Sequence, residues 1–235
     1  MRLPGKTGVY ALLVLAAGLM LARCGTAART TSTLRHTLQP PAKEAGRLGT
    51  SPKPARHPAA VGPPIGVSIA RLLGQYGDAR VDQGLTIYRA HYSAVAIYEV
   101  TVYAGVLDML AAVRDAGWVM CIATSKRRDF AERVIDYLAL RSYVRTVYGA
   151  EPGGGLDNKQ DLLAHILGRE GFTPADTVML GDRFHDIEAA RTNHLRSIGA
   201  AWGYGGRAEL EAAGADAIAA LPQGVPVLLD ARRSG

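Results

Sequence analysis

Two carboxylates stand four residues apart in the stretch TVMLGDRFHDIEAA, residues 177–190. Asp182 follows an apolar run that reads as a buried strand, and Asp186 falls where a helical pattern begins. That spacing sets both acids on one side of a strand–helix junction. Neighbouring carboxylates without a counter-charge repel, and the pKa of one of them rises. A hard divalent cation such as Mg²⁺ removes the repulsion, taking oxygen ligands and keeping several waters. Gly181, just before the pair, allows a ligand to approach the backbone. The same spacing also suits two solvated acids near a helix start, where the dipole favours them.

Two further features carry phosphate chemistry. In ATSK, residues 123–126, Thr124 and Ser125 are read as the end of an apolar strand ahead of a helix. A hydroxyl and unpaired N–H groups at a helix start form a cradle for an anion; an ordinary helix cap by either residue is the alternative. Lys159, in GGGLDNKQDLL, opens a helix, where the dipole slightly disfavours a cation. That position points to an anionic partner, the alternative being a solvated surface lysine. Cys121 and Arg127 have the CxxxxxR spacing of cysteine-dependent phosphatases. Ile122 and Ala123 continue the strand past the cysteine, so the loop that chemistry needs is not formed, and Cys121 is expected to be a core residue. With only Cys24 besides, and no Cys/His cluster, structural zinc is not indicated.

The elements that must position these residues alternate. Helical patterns are expected over 65–74 and in the segment after Asp78. From residue 104 onward, helices and near-continuous apolar strands follow one another to about residue 220. This pattern predicts an α/β fold, a doubly wound parallel sheet with helices on both faces. Ligands in such sheets bind at the carboxyl ends of the strands, where Thr124, Ser125 and Asp182 fall. Three segments are expected: residues 1–60, basic and Pro-rich; 61–102, a small helical unit; and 103–235, the α/β core.

The net charge of +6 is unevenly spread. Residues 1–60 hold nine Lys/Arg and one acid, Glu44, whereas 61–235 hold eighteen Lys/Arg and twenty acids. The body is near neutral, so composition gives no case for a nucleic-acid surface. Near the amino end, Arg2 and Lys6 precede an apolar run from Val9 to Ala22, a signal-like pattern. The run is shorter than the ~20 residues that span a bilayer, and membrane contact is expected only through residues 7–23. An export signal or anchor is one reading. An aberrant or mis-started amino end of a cytoplasmic protein that happens to be apolar is the other, and the one expected here.

ATSK, DNKQDLL and VMLGDRFHDIEAARTNHLRSIGAAWGYG together resemble the second, third and fourth motifs of the haloacid-dehalogenase superfamily, in its phosphoglycolate-phosphatase-like branch. VGPPIGVSIARLLG and YRAHYSAVAIYEVTVYAGVLDMLAAVRDAG resemble the helical cap of that branch and its return to the core. The likeness covers about residues 61–229 and implies a haloacid-dehalogenase-like core with a partial helical cap. It implies a Mg²⁺-dependent phosphatase acting on a small phosphorylated metabolite. Thr124 and Ser125 would hold the phosphoryl group, Lys159 would neutralise it and orient the nucleophile, and Asp182 and Asp186 would bind the metal directly or, for Asp186, through water. The family's first motif, DxDxT, supplies the nucleophilic aspartate at the end of the central strand, before the cap. The first Asp of this chain is Asp78. The apolar VYALLVLAAG has the character to replace the central strand but ends without a carboxylate. A catalytically inactive homologue that still binds ligand is therefore the alternative expectation.

Overall fold

The structure, a computed structural model, describes residues 12–16, 21–22, 65–151 and 155–230. The TLRHTLQ segment, Cys24 and the ends of the apolar run lie outside the described residues. Among those described, two compact units are present: one of residues 12–16, 21–22 and 101–230, the other of residues 65–100.

The larger unit is the doubly wound α/β sheet that the alternation predicts. Its elements are β1 (Leu12–Ala16), β2 (Leu21–Ala22), then, after the helical unit, β3 (Thr101–Val102), α3 (Val106–Asp115), β4 (Val119–Arg127), α4 (Arg128–Tyr137), β5 (Thr146–Ala150), α5 (Lys159–Glu170), β6 (Thr177–Gly181), α6 (Phe184–Thr192), β7 (Arg196–Ala200), α7 (Gly206–Ala212), β8 (Ala217–Ala219) and α8 (Gly224–Asp230). Six strands form one sheet in the order β5-β4-β1-β6-β7-β8, with every pairing parallel. β2 and β3 pair antiparallel as a short separate ribbon. The sheet buries strands on both faces, and β6 is buried along its whole length. The core gathers Ile122, Val147, Val178, Leu180 and Ile198 from the strands with Leu110, Leu163 and Ile187 from the helices. Each such side chain contributes roughly 1.5–3 kcal/mol by leaving water.

The smaller unit holds α1 (Ile65–Gly74) and α2 (Val81–Ala94), a helical pair as expected. Ile69 and Leu73 on α1 are packed by Ile65, Leu72, Val81, Leu85, Ile87 and Tyr88. Gly84 allows the close approach, since a Cβ there would press on Ile69.

Three differences from the sequence expectations emerge. Residues 12–16, in the segment expected to stand apart from the core, form its central strand β1, in register with β4 from Leu12↔Val119 to Ala16↔Ala123 and with β6 from Leu12↔Thr177 to Leu15↔Leu180. β4 does not end at Thr124 but runs to Arg127, with its register against β5 shifting between Ala123 and Arg127. The charged run Lys126-Arg127-Arg128 hides this extension, because it reads as the polar start of a helix. Helix α8 has no counterpart among the expected elements; Gly224 and Pro226 obscure its pattern. Among the described residues no helix is long and apolar enough to cross a membrane.

Because β1 joins β4 to β6, a chain lacking residues 1–22 is expected to lose its cooperative thermal transition, followed by circular dichroism. A cleaved leader would leave no such trace, and a truncated chain that melts as sharply as the full chain would contradict the central place of β1.

Candidate functional site

All five residues singled out in the sequence lie at the carboxyl end of the sheet or at the helix starts beside it. Leu15 of β1 pairs with Ile122 on one side and Leu180 on the other. Thr124 and Asp182 each lie two residues further on, so they stand level with each other on the strands flanking β1. Lys159 is the first residue of α5 and Asp186 lies in the first turn of α6. These two helices pack together, which closes the site from a third side.

Asp186 is the most heavily bonded of the group. Its Oδ1 accepts from Lys159 Nζ at 2.5 Å, and its Oδ2 accepts from the backbone N–H groups of Asp182 and Arg183, both at 3.1 Å. Both partners of the ion pair are largely shielded, with side-chain exposures of 14% for Lys159 and 3% for Asp186. Gly181 makes this possible, since a Cβ there would fall on the Asp186 side chain. Lys159 owes its position to Asn158, which caps α5 by accepting from Gln160 N–H at 2.9 Å. Asn193, at the end of α6, ties the same turn down, donating to Gln160 O at 3.0 Å and to Ala189 O at 2.9 Å.

Asp182 is buried, and its Oδ2 accepts from Tyr204 N–H at 3.0 Å. Among the described residues its Oδ1 has no hydrogen-bond donor. Burial, and then the charge of Asp186, push the Asp182 carboxyl up to about 6; Tyr204 N–H, Lys159 and Arg183 oppose the rise. The segment after β7 wraps closely around it. A Cβ on Gly203 would fall on the Asp182 side chain, and one on Gly205 would press on Asp182 O and Glu209. Gly205 N–H donates to Asp182 O at 3.0 Å.

Thr124 is also buried, and its Oγ1 accepts from Lys126 N–H at 3.1 Å. The hydroxyl proton is thereby directed away from that N–H. Ser125 does not cap the following helix, the alternative reading of this position: the residue before α4 is Arg127, and it makes no side-chain cap bond. The irregular pairing of residues 124–126 with β5 takes the place of the expected helix start, so Ser125 lies on a distorted strand end.

Sequence reasoning missed three participants. Arg183 is buried and donates through Nε to Glu209 Oε1 at 2.7 Å; the same oxygen accepts from Phe184 N–H at 2.9 Å. Burial pushes the Glu209 carboxyl up, but these bonds outweigh it and hold the group below the usual range. Tyr103, just beyond β3, has its phenol raised by burial and by the fields of Tyr204 and Asp182. Glu209 lies 26 residues from Arg183 and gives no local signal; the only hint of this wrapping segment is the glycine spacing in WGYGG. Cys121 is buried within β4, and burial and then Glu170 push its thiol up to about 12, so it is the core residue expected and no thiolate.

The donor set suits a hard cation. Asp182 has one oxygen without a hydrogen bond, while both oxygens of Asp186 are engaged. Asp182 could therefore bind a cation directly and Asp186 through water. Among the described residues no group of three or more His, Cys, Asp or Glu gathers, at this site or any other. A site with so few protein ligands fits Mg²⁺, which retains waters, better than a metal needing an all-protein cage.

Residues 25–200 match the family model described as haloacid dehalogenase-like hydrolase. A 5'-nucleotidase of Pseudomonas aeruginosa is 32% identical over 71% of this chain and 75% of that protein. The tyrosine-protein kinase PtkA of Mycobacterium tuberculosis is 32% identical over 62% of this chain, which spans about half of PtkA. A phosphoglycolate phosphatase of Synechococcus elongatus is 32% identical over 51% of this chain and 55% of that protein. Among solved structures, a predicted phosphatase from Clostridium acetobutylicum superposes with a TM-score of 0.80 over 95% of this chain and all of the other, at 22% identity.

The raised Asp182 pKa sets a pH dependence. Its folded value of about 6 lies above its ordinary value of 3.8, so between these values the folded state holds more protons than the unfolded. The group's contribution to stability is complete below about pH 4 and is lost as the pH rises through 6. In metal-free protein, Asp182→Asn is expected to gain about 1–3 kcal/mol relative to wild type between pH 4 and pH 7, each tenfold difference in proton affinity being worth ~1.4 kcal/mol, measured by urea unfolding. A difference independent of pH would contradict the burial of a charged Asp182.

Proposed function

Because the chain belongs to the haloacid dehalogenase-like hydrolase family, we propose that its site binds a small phosphorylated metabolite together with Mg²⁺, as for phosphomonoester hydrolysis. As it stands, the chain turns that ligand over only weakly. The observation that carries this reading is the level placement of Thr124 and Asp182 on either side of β1, with the Lys159–Asp186 pair beside them. The names of the 5'-nucleotidase and phosphoglycolate phosphatase relatives support a phosphomonoester as ligand.

In this reading Thr124 donates its hydroxyl proton to a phosphoryl oxygen, since its own oxygen already accepts from Lys126 N–H. Lys159 lies between Asp186 and the phosphoryl group; the ammonium has three protons and spends one on Asp186. Asp186 thereby fixes where Lys159 delivers its charge. Ser125, on the distorted strand end, supplies backbone contact to the same anion. Asp182 holds the cation with its open oxygen. Bound there, Mg²⁺ would supply Lewis-acid stabilisation of the phosphoryl charge. All of this is electrostatic stabilisation by groups already in place, aimed at the charge that develops during transfer.

The weak step is the attack. Thr124 and Asp182 are separated by the width of one strand, about 10 Å for two inter-strand spacings. In the family pattern a nucleophilic aspartate occupies that gap. Here the described strand ends Leu15-Ala16, and no Asp precedes Asp78. Loss of a covalent nucleophile costs on the order of 10⁴- to 10⁶-fold in turnover while binding persists. We place the protein in the cytoplasm, a reading supported by the use of the apolar run as sheet strand.

Mg²⁺ with inorganic phosphate is expected to raise the melting temperature, and Lys159→Ala to remove the phosphate part of that shift. Hydrolysis of p-nitrophenyl phosphate or phosphoglycolate should be near background. Ala16→Asp, Gly18→Asp, Leu19→Gly and Met20→Thr together write DADGT after Leu15 and should raise it by at least 10³-fold. Robust turnover by the unaltered chain that persists in Asp182→Asn would overturn the mechanism. A folded, repaired chain without turnover would leave ligand binding as the function.

A further inference from the structure

Strand β4 does not run evenly along β5 past Ala123. Its register holds at Ala123↔Tyr148 and is resumed at Arg127↔Ala150, so Thr124, Ser125 and Lys126 stand opposite Gly149 alone. A bulge of this kind re-aims the side chains it carries. Here it carries Thr124, whose Oγ1 accepts from Lys126 N–H at 3.1 Å. That bond spans the bulge and leaves the hydroxyl proton for another acceptor.

Gly149 is what lets the bulge lie so close to β5. A Cβ built on it would come within 2.5 Å of Lys126 O and 3.0 Å of the N and Cα of Arg128. All three are backbone atoms, so no side chain can turn aside to make room. β5 is held from retreating. Tyr148, the preceding residue, is buried and donates its hydroxyl proton to Glu170 Oε1 at 2.7 Å. Its ring also meets His165 edge-on at 5.9 Å. Both partners lie on α5. Successive residues of a strand face opposite sides, so β5 is anchored on the α5 side while the vacant Cβ position of Gly149 faces the start of α4. The displacement caused by a side chain at 149 therefore falls on residues 126–128, the far limb of the bulge.

We infer that Gly149 is a positioning residue: its missing side chain lets the Thr124–Lys126 bulge seat against β5 and so sets the direction in which Thr124 presents its hydroxyl to an anion. The inference rests on the reading of Thr124 as a phosphoryl ligand. Gly149 itself never touches the anion. A glycine needed only for packing would alter stability and leave the anion affinity of the folded chain alone.

Calorimetric titration of the full chain with inorganic phosphate, in the presence of MgCl₂, separates the two. Gly149→Ala should weaken phosphate binding about tenfold or more. Its Mg²⁺ affinity, measured without phosphate, should stay within about twofold of wild type, since Asp182 follows β6 on the other side of β1. Val147→Ala removes a buried side chain from the same strand; it should lower the melting temperature and leave phosphate affinity within about twofold. Thr124→Val should also weaken phosphate binding. Adding Gly149→Ala to it should change that weakened value by less than about twofold, because both substitutions act through one hydroxyl. In the wild-type chain, saturating phosphate should shift the backbone NMR signals of Thr124, Lys126 and Gly149 together, a measurement that needs no variant to fold. Unchanged phosphate affinity in Gly149→Ala overturns the inference. So does a loss that adds in full to that of Thr124→Val, an equal loss in Val147→Ala, or a Gly149 signal that phosphate leaves in place. A wild-type chain that binds no phosphate, or binds it as Thr124→Val does, overturns the phosphoryl reading and this inference together. Phosphate binding that Thr124→Val weakens and Gly149→Ala leaves intact overturns the inference alone.

Discussion

The site is organised around the carboxylate of Asp186. One oxygen holds the ammonium of Lys159 from α5, and the other gathers two N–H groups of the turn that carries Asp182. A buried carboxylate is costly unless its lone pairs are filled by charged or polar donors. Here the donors come from one helix and from the turn after β6, so satisfying Asp186 also fixes Lys159 and the Asp182 turn relative to each other. Gly181 is the geometric condition for this, because any side chain there would occupy the space of Asp186. Asn158 and Asn193 extend the same constraint by holding the first turn of α5 in place.

Around that centre the sheet provides spacing. Parallel pairing of β4 and β6 with β1 sets Thr124 and Asp182 level at the carboxyl end, and the fully buried β6 leaves little freedom to slip, since a one-residue shift would turn its apolar side chains to the wrong face. The wrapping segment from Gly203 to Glu209 then closes over Asp182 from behind, supplying an N–H to its carboxylate and a counter-charge to Arg183. The result is a preassembled cluster of Thr124, Lys159, Asp182 and Asp186 flanking a central strand whose described end has no acid of its own.

Much of this is legible in the sequence. The strand–GD–helix stretch singles out Asp182 and Asp186, although the same spacing also suits two solvated acids at a helix start. Lys159 is conspicuous as a cation at a helix start. The regular alternation from residue 104 reveals the sheet, since buried parallel strands read as unbroken apolar runs. The failures have physical causes. Val9 to Ala22 is apolar throughout, a pattern that a leader and a buried strand share, so the sequence allows a central strand there without deciding it; residues 12–16 pair with β4 and β6. Lys126-Arg127-Arg128 reads as a helix start because its charges mask a strand end that remains half-buried. Glu209 and Tyr103 reach the site through tertiary approach alone, and spacing carries no trace of that.

The central claim is that a cation and a phosphoryl group are held together here even though the strand between their ligands lacks an acid. Crystals grown with Mn²⁺ in place of Mg²⁺, and with tungstate as a phosphate mimic, test it most directly. The predicted result is an anomalous Mn²⁺ peak bonded to Asp182, with tungstate between Thr124 and Lys159. A well-ordered site with Mn²⁺ absent from Asp182, or with tungstate bound away from Thr124 and Lys159, would contradict it.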